Sequence, residues 1–188
     1  MAMTVKRRKE TKLPHVVQHR IADIRGGVSV ASAELGGDYL KEGAIVSAPE
    51  DGVCHVVKFA VVYAAASSTD TEVAVAKYSN IAAGDYVMLD GGDTTVVVSA
   101  VDTSSSTLYD TLTLASALGE DLAVGAYIVG AASDGTAALA YTPFAVVGTG
   151  KPIVSGVNID TDAWVFAVTR NNPLPTVIAD ELKGVINY

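Results

Sequence analysis

A period of two runs through most of this chain and narrows its fold more than any other feature. In "TEVAVAKY" (71–78) Val73 and Val75 fall on one face, and in "LYDTLTLAS" (108–116) Leu112 and Leu114 alternate with Thr111 and Thr113. "DTTVVVSAVD" (93–102) is a β-branched run bounded by turn residues. Between these runs stand "PEDG" (49–52), "DGGD" (90–93), "TSSS" (103–106) and "SDG" (133–135). Gly, Asn and Asp tolerate left-handed backbone, and Ser and Asp bond their own turn, so these stretches read as tight connections. Helical patterning is confined to "PTVIADELKGVINY" at the C-terminus, where Thr176 is placed to cap, Asp180 and Glu181 lie early and Gly184 is placed to close. The expectation is an all-β fold, a barrel or sandwich built from successive hairpins, with an extended N-terminal arm and one short C-terminal helix.

A second regularity sits on the first. "LKEGAIVSA" from Leu40, "IAAGDYVML" from Ile81 and "LAVGAYIVGA" from Leu122 each read apolar-x-x-Gly-x-apolar-apolar, spaced 41 residues apart. Asp51-Gly52 follows Gly43 by eight residues, Asp134-Gly135 follows Gly125 by nine, and Gly91-Gly92 takes that place in the middle copy. Each copy therefore reads as a Gly-led strand, a tight turn and a second strand. A period of this length suits repeat architectures, but the copies match little beyond that core, so the recurrence argues for hairpins rather than a solenoid. Ala44, Asp85 and Ala126 follow the three glycines. A ligand site would need the acid each time, so the motif is read as backbone freedom at a strand entry.

Charge divides the chain. Residues 1–25 carry Lys6, Arg7, Arg8, Lys9, Lys12, Arg20 and Arg25 against Glu10 and Asp23, whereas the remainder holds six basic residues against nineteen acids. Residues 1–25 are read as a basic extended arm on an acidic β-rich domain, 26–188, with 140–150 as the place where a second β module would begin. Basic arms reach acidic surfaces, of protein or of nucleic acid. Direct nucleic-acid binding is not expected of the body, which has few basic residues and no interleaved aromatic platform. Charged residues make up only 18% of the chain, and a surface that poor in charge suits an oligomer or a docked position in a larger assembly.

Candidate chemistry falls away on inspection. Cys54, the single cysteine, sits in the apolar run "GVCHVVKFAVV" and reads as a small buried hydrophobe. Its neighbour His55 would point to the opposite face of a strand, and the chain has no G-x-S-x-G. His15 and His19 lack a third metal ligand nearby. Asp160/Asp162 and Asp90/Asp93 do not extend into a calcium loop and read as turn acids. "VVGTGKPIV" (146–154) is too short for a phosphate loop and places Pro152 where a Ser or Thr should stand. No catalytic residue, cofactor or metal is expected; an enzyme would require His15, His19 or His55 to meet carboxylates in a pocket. Neither a signal peptide nor a membrane span is expected, since the longest apolar run is broken by His55 and Lys58. Trp164 in "TDAWVFAV" reads as core.

The stretch "GDYVMLDGGDTTVVVSAVDTSSSTLYDTLTLASALGEDLAVGAYIVGA" resembles the hairpin modules of tailed-bacteriophage head decoration and head-fibre proteins, and "VFAVTRNNPLPTVIADELKGVINY" is similar to the ends of such proteins. The resemblance implies a non-enzymatic virion protein, commonly a trimer, assembled in the host cytoplasm. It would bind the major capsid protein on the capsid exterior. On that reading Lys6, Arg7, Arg8, Lys9, Lys12, Arg20 and Arg25 would meet acidic patches on the partner. Val16, Val17 and Ile21 would anchor, and the arm would order on docking. The chain is longer than the smallest decoration proteins, which would leave room for a second β module or an outward part. The alternative is a β-sandwich module binding glycans or cell surfaces, as part of a fibre or adhesin, for which clustered tyrosines would speak.

Overall fold

The computed structural model describes residues 15–188. The chain enters through β1 (Val17–Asp23), β2 (Val28–Val30), β3 (Tyr39–Leu40) and β4 (Ile45–Ser47). A central block follows: β5 (Phe59–Val61), β6 (Glu72–Ala76), β7 (Tyr86–Leu89), β8 (Thr95–Asp102), β9 (Tyr109–Leu114), β10 (Tyr127–Ser133) and β11 (Thr136–Leu139). The chain then returns through β12 (Pro143–Val147), β13 (Lys151–Pro152), β14 (Ile159–Thr161), β15 (Ala163–Thr169), α1 (Thr176–Ala179) and β16 (Val185–Asn187). The fold is all-β, as the alternation requires.

The central block closes on itself. Strands run in the order β10-β7-β8-β9-β6, β5 pairs with the other side of β10, and Val62 bridges to Val75 of β6. Tyr63 N–H donates to the Ala74 carbonyl at 2.8 Å and completes the seam. Six strands thus form a small barrel, and β11 extends its rim beside β10. The inward side chains include the four that the period of two nominated, Val73, Val75, Leu112 and Leu114. Val73, Val75, Val87, Val96, Val98, Leu112, Leu114 and Ile128 pack as one cluster, closed over by Ile81, Leu118 and Leu122. Burying a side chain such as Leu112 contributes about 2 kcal/mol.

The flanking segments build an open sheet in the order β1-β15-β12-β4, with β16 parallel to β15. One face packs on the barrel's outer wall, joining Ile45, Val146, Ala167, Ile178 and Leu182 to Phe59, Met88 and Val129. The other face covers Val28, Val30, Leu40, Cys54 and Ile159, beneath the β2–β14 and β3–β13 pairs. Because β12 pairs with β4, the chain crosses between the two modules twice, near 58 and near 140. The barrel is an insertion in the outer module.

The three Gly-led motifs adopt one geometry. Ala44, Asp85 and Ala126 N–H donate to Lys41, Ala82 and Ala123 carbonyls at 3.3, 3.2 and 3.1 Å. The intervening Gly43, Gly84 and Gly125 lie at φ 85°, 95° and 88°, a region that glycine occupies without the cost a Cβ would impose. Each glycine N–H donates to a valine on a neighbouring strand (Val147, Val98, Val62), and that valine N–H donates back to the residue after the glycine, all at 2.8–2.9 Å. Hairpins follow all three: Glu50 and Val53 bracket Asp51-Gly52, Gly91-Gly92 joins β7 to β8, and Asp134-Gly135 joins β10 to β11.

At the C-terminus the helix is shorter than the sequence pattern indicates. It ends at Ala179, and β16 occupies 185–187. Thr176 is not the cap; Pro175 holds that position and makes no side-chain cap bond. The Asp90 carboxylate, from the turn after β7, instead accepts the N–H groups of Thr176 and Val177 at 2.7 and 3.0 Å. Gly184 serves a close approach to β15, since a Cβ there would lie 2.2 Å from the Val165 carbonyl oxygen.

Candidate interaction surface

Lys6, Arg7, Arg8, Lys9 and Lys12 lie outside the described residues. The rest of the segment read as an arm is part of the outer sheet. Val17–Asp23 form β1, and Val17 is a core residue. The point where the basic segment meets the body is held by one carboxylate. Glu42 Oε1 accepts Val16 N–H at 2.9 Å and Val17 N–H at 2.8 Å, while Oε2 lies 3.0 Å from His15 Nδ1. Arg170 N–H donates to the Val16 carbonyl at 2.9 Å. The Val16 side chain lies where a Cβ on Gly43 would come within 2.6 Å of it. The lack of a clean alternation kept this segment from reading as a strand: "VQHRIAD" is exposed at five of its seven positions, because β1 lies at the sheet edge.

Along β1 the expected contact residues separate. Arg20 stacks over the Trp164 ring at 5.3 Å, and Trp164 Nε1 donates to Asp162 Oδ2 at 2.9 Å. Burial raises the Asp162 carboxyl, but the hydrogen bonds it accepts outweigh that and hold it below the usual carboxylate range. Arg20 therefore already has partners within the body, and Trp164 is half-buried at the junction rather than deep core. Ile21 is 68% exposed, and His19 and Arg25 are exposed with it. Register places Phe166 opposite Ala22, and Val168 between His19 and Ile186. Phe166 and Ile186 are exposed, so the edge carries apolar groups beside its cations.

A second polar constellation lies where the barrel meets the outer module, around a cavity of about 190 Å³. Lys58, 7% exposed, donates to both Asp85 carboxylate oxygens at 2.9 and 2.7 Å and to the Glu34 carbonyl. Both Glu34 carboxylate oxygens lie 3.1 Å from His55 Nδ1, and Oε2 accepts Tyr141 O–H at 3.0 Å. His55 stacks on Tyr141 with centroids 4.3 Å apart. Burial, with the Glu34 bond and charge behind it, pushes the Tyr141 phenol up to about 12. His55 thus meets a carboxylate, as does His15. No sequence signal marked this cluster, because Glu34, Lys58, Asp85 and Tyr141 are far apart along the chain.

The dismissed motifs rest on local roles. Cys54 is fully buried among apolar groups and burial raises its thiol, while His55 faces the junction. Asp102 accepts N–H bonds from Ser104 and Ser105 at the "TSSS" turn, which hold its carboxyl down at about 2. Lys151 donates to the Asp160 carbonyl. Among the described residues no three His, Cys, Asp or Glu side chains are grouped to hold a metal, and no helix is long and apolar enough to cross a membrane. The chain matches no family model, no curated protein and no solved structure among those compared.

Proposed function

We propose that this protein is a non-enzymatic, capsid-associated structural protein that docks on the exterior of a phage head. Its basic N-terminal segment would reach acidic patches of the major capsid protein. The observation that carries the reading is the root of that segment. Glu42 fixes the backbone at His15–Val17, so the chain that follows the cationic stretch is anchored at a defined point on the sheet edge. Exposed Ile21, Phe166 and Ile186 lie along that edge, with Arg25 just past its far end, and add an apolar footing beside the charge. The junction cluster suits a fastener better than a catalyst. Lys58 has three internal acceptors and Glu34 two internal donors, which leaves little freedom for proton transfer to a substrate. The barrel would project from the docked sheet, and the oligomer would be a trimer.

The test compares the full chain with one lacking residues 1–14, which leaves β1 intact. Light scattering should give a trimer for both. Co-sedimentation with phage heads stripped of the protein should recover the full chain and leave the shortened one in solution. Equal recovery of both would overturn the arm's role, and monomers in both would overturn the trimer.

A further inference from the structure

A cleft of about 480 Å³ lies between the loop leading into β3, the residues after β6 and the start of β9. It is separate from the β1 edge and from the junction cluster, and neither role makes use of it. Its wall is built from backbone that ordinary residues avoid. Tyr78 and Asn80 both lie at positive φ, 65° and 58°, on either side of buried Ser79. Each such residue is strained and persists only where its surroundings dictate it. Here they do: Asn80 Nδ2 donates to the Gly36 and Tyr39 carbonyls at 3.0 and 3.1 Å, and Gly36 N–H returns a bond to the Asn80 carbonyl at 3.0 Å. A Cβ on Gly36 would lie 2.0 Å from the Ile81 carbonyl oxygen, so the two segments meet backbone to backbone.

This rigid wall presents the rings of Tyr39 and Tyr78 edge to face, centroids 6.2 Å apart. On the floor lies Asp110, 5% exposed. Its Oδ1 is held by Lys77 at 2.6 Å, and Lys77 also donates to the Thr103 carbonyl at 2.7 Å. Asp110 Oδ2 has no partner among the described residues and is not sealed from solvent, so an acceptor faces the cleft.

These groups select a chemistry. An anion would face Asp38 and Asp110, and a cation would face Lys77, which already neutralises the floor. A wholly apolar ligand would strip water from the Asp110 oxygen without replacing its hydrogen bond. What fits is an uncharged ligand with hydroxyl donors for Asp110 and an apolar face to lie on a tyrosine ring. We infer that this cleft is a binding site for a neutral saccharide. The site is independent of the docking role.

Saturation-transfer NMR on the full chain tests it, with neutral gluco-, galacto- and manno-configured oligosaccharides and with sialylated and sulfated ones as charged comparators. Transfer to at least one neutral sugar is expected. Tyr78→Gly removes a ring at a position where glycine has no strain, so the fold is retained. It should weaken binding at least tenfold, as should Asp110→Asn. Tyr63→Ala, at the stacked Tyr63–Tyr109 pair elsewhere on the barrel, should leave binding unchanged. Transfer to no neutral sugar, transfer to charged sugars alone, or binding that survives Tyr78→Gly would each overturn the inference. Should Asp110→Asn fail to fold, Tyr78→Gly decides.

Discussion

In the barrel every strand lies between Phe59 and Ser133, and the sheet closes on itself; in the outer sheet β1 pairs with β15 across most of the chain's length, and the edge stays open. Closure leaves the six barrel strands no free edge, and only the rim strand β11 ends the order. The outer sheet manages its edge by irregularity. The β1–β15 register shifts three times, and His19, Arg20 and Arg25 put charge or polarity along it. The devices that keep such an edge from pairing indiscriminately also make it a surface for a selective partner. Local pairing further implies that the barrel forms ahead of the outer sheet, whose closure needs both ends of the chain.

The largest effect should come from removing the open edge. A chain lacking residues 1–25 loses β1 and the buried Val17, whereas one lacking 1–14 keeps both. The first should lose more than about 4 kcal/mol in denaturant titration, with a separate, later transition for the barrel. The second should unfold with the full chain. A single shared transition in both would show that barrel and sheet are one cooperative unit.

Next comes the fastener between them. Lys58→Ala leaves Asp85 with the Ala82 N–H but no cation and should cost about 3 kcal/mol, while Lys58→Met combined with Asp85→Leu should recover most of that loss. Chemical denaturation of the three variants separates a pair that specifies the junction from one that merely tolerates burial.

The recurring glycines give a smaller contrast. A Cβ at Gly84 or Gly125 meets nothing within 4 Å, so alanine there should cost only the left-handed backbone, about 1–2 kcal/mol. At Gly43 it would also strike Val16, so Gly43→Ala should cost more than either barrel substitution. Equal losses at all three would show that Val16 yields freely.

Smallest is an alkaline effect at Tyr141. Its folded value is raised to about 12 from the ordinary 10. The contribution is therefore complete below pH 10 and lost as pH rises through about 12. Tyr141→Phe should flatten stability across that window, read by thermal melts at a series of alkaline pH values.

Much of the barrel was legible because its determinants are local. Alternation at Val73–Val75 and Leu112–Leu114 and the turn chemistry at Gly91-Gly92 and at "TSSS" (103–106) act over a few residues. The outer module was less so. β1 carries no clean alternation, since an edge strand buries little, and residues 15–25 therefore read as arm. The C-terminal pattern overstated its helix because Asp90, far away in sequence, supplies the cap, and the chain then turns to pair with β15. Neither polar constellation was legible. Lys58 and Asp85 read separately as a break in an apolar run and as the variable residue after a strand-entry glycine. Tyr39 and Tyr78 stand far apart in sequence, and only Asn80, which fastens their loops together, makes them neighbours.

The route by which the chain enters and leaves the barrel bears on how such a molecule can vary. Gly130 N–H donates to the Lys58 carbonyl at 2.8 Å, and Ala140 N–H donates to the Gly130 carbonyl at 3.1 Å. Departure and return thus sit side by side, spliced through one residue. A body grafted at adjacent points can be exchanged for another of different size without redrawing the foundation. The replacement must restore the apolar wall now given by Phe59, Met88 and Val129, together with the polar links that Asp85 makes to Lys58 and Asp90 to the N-terminus of α1. What the molecule presents outward and what it stands on are separable inheritances.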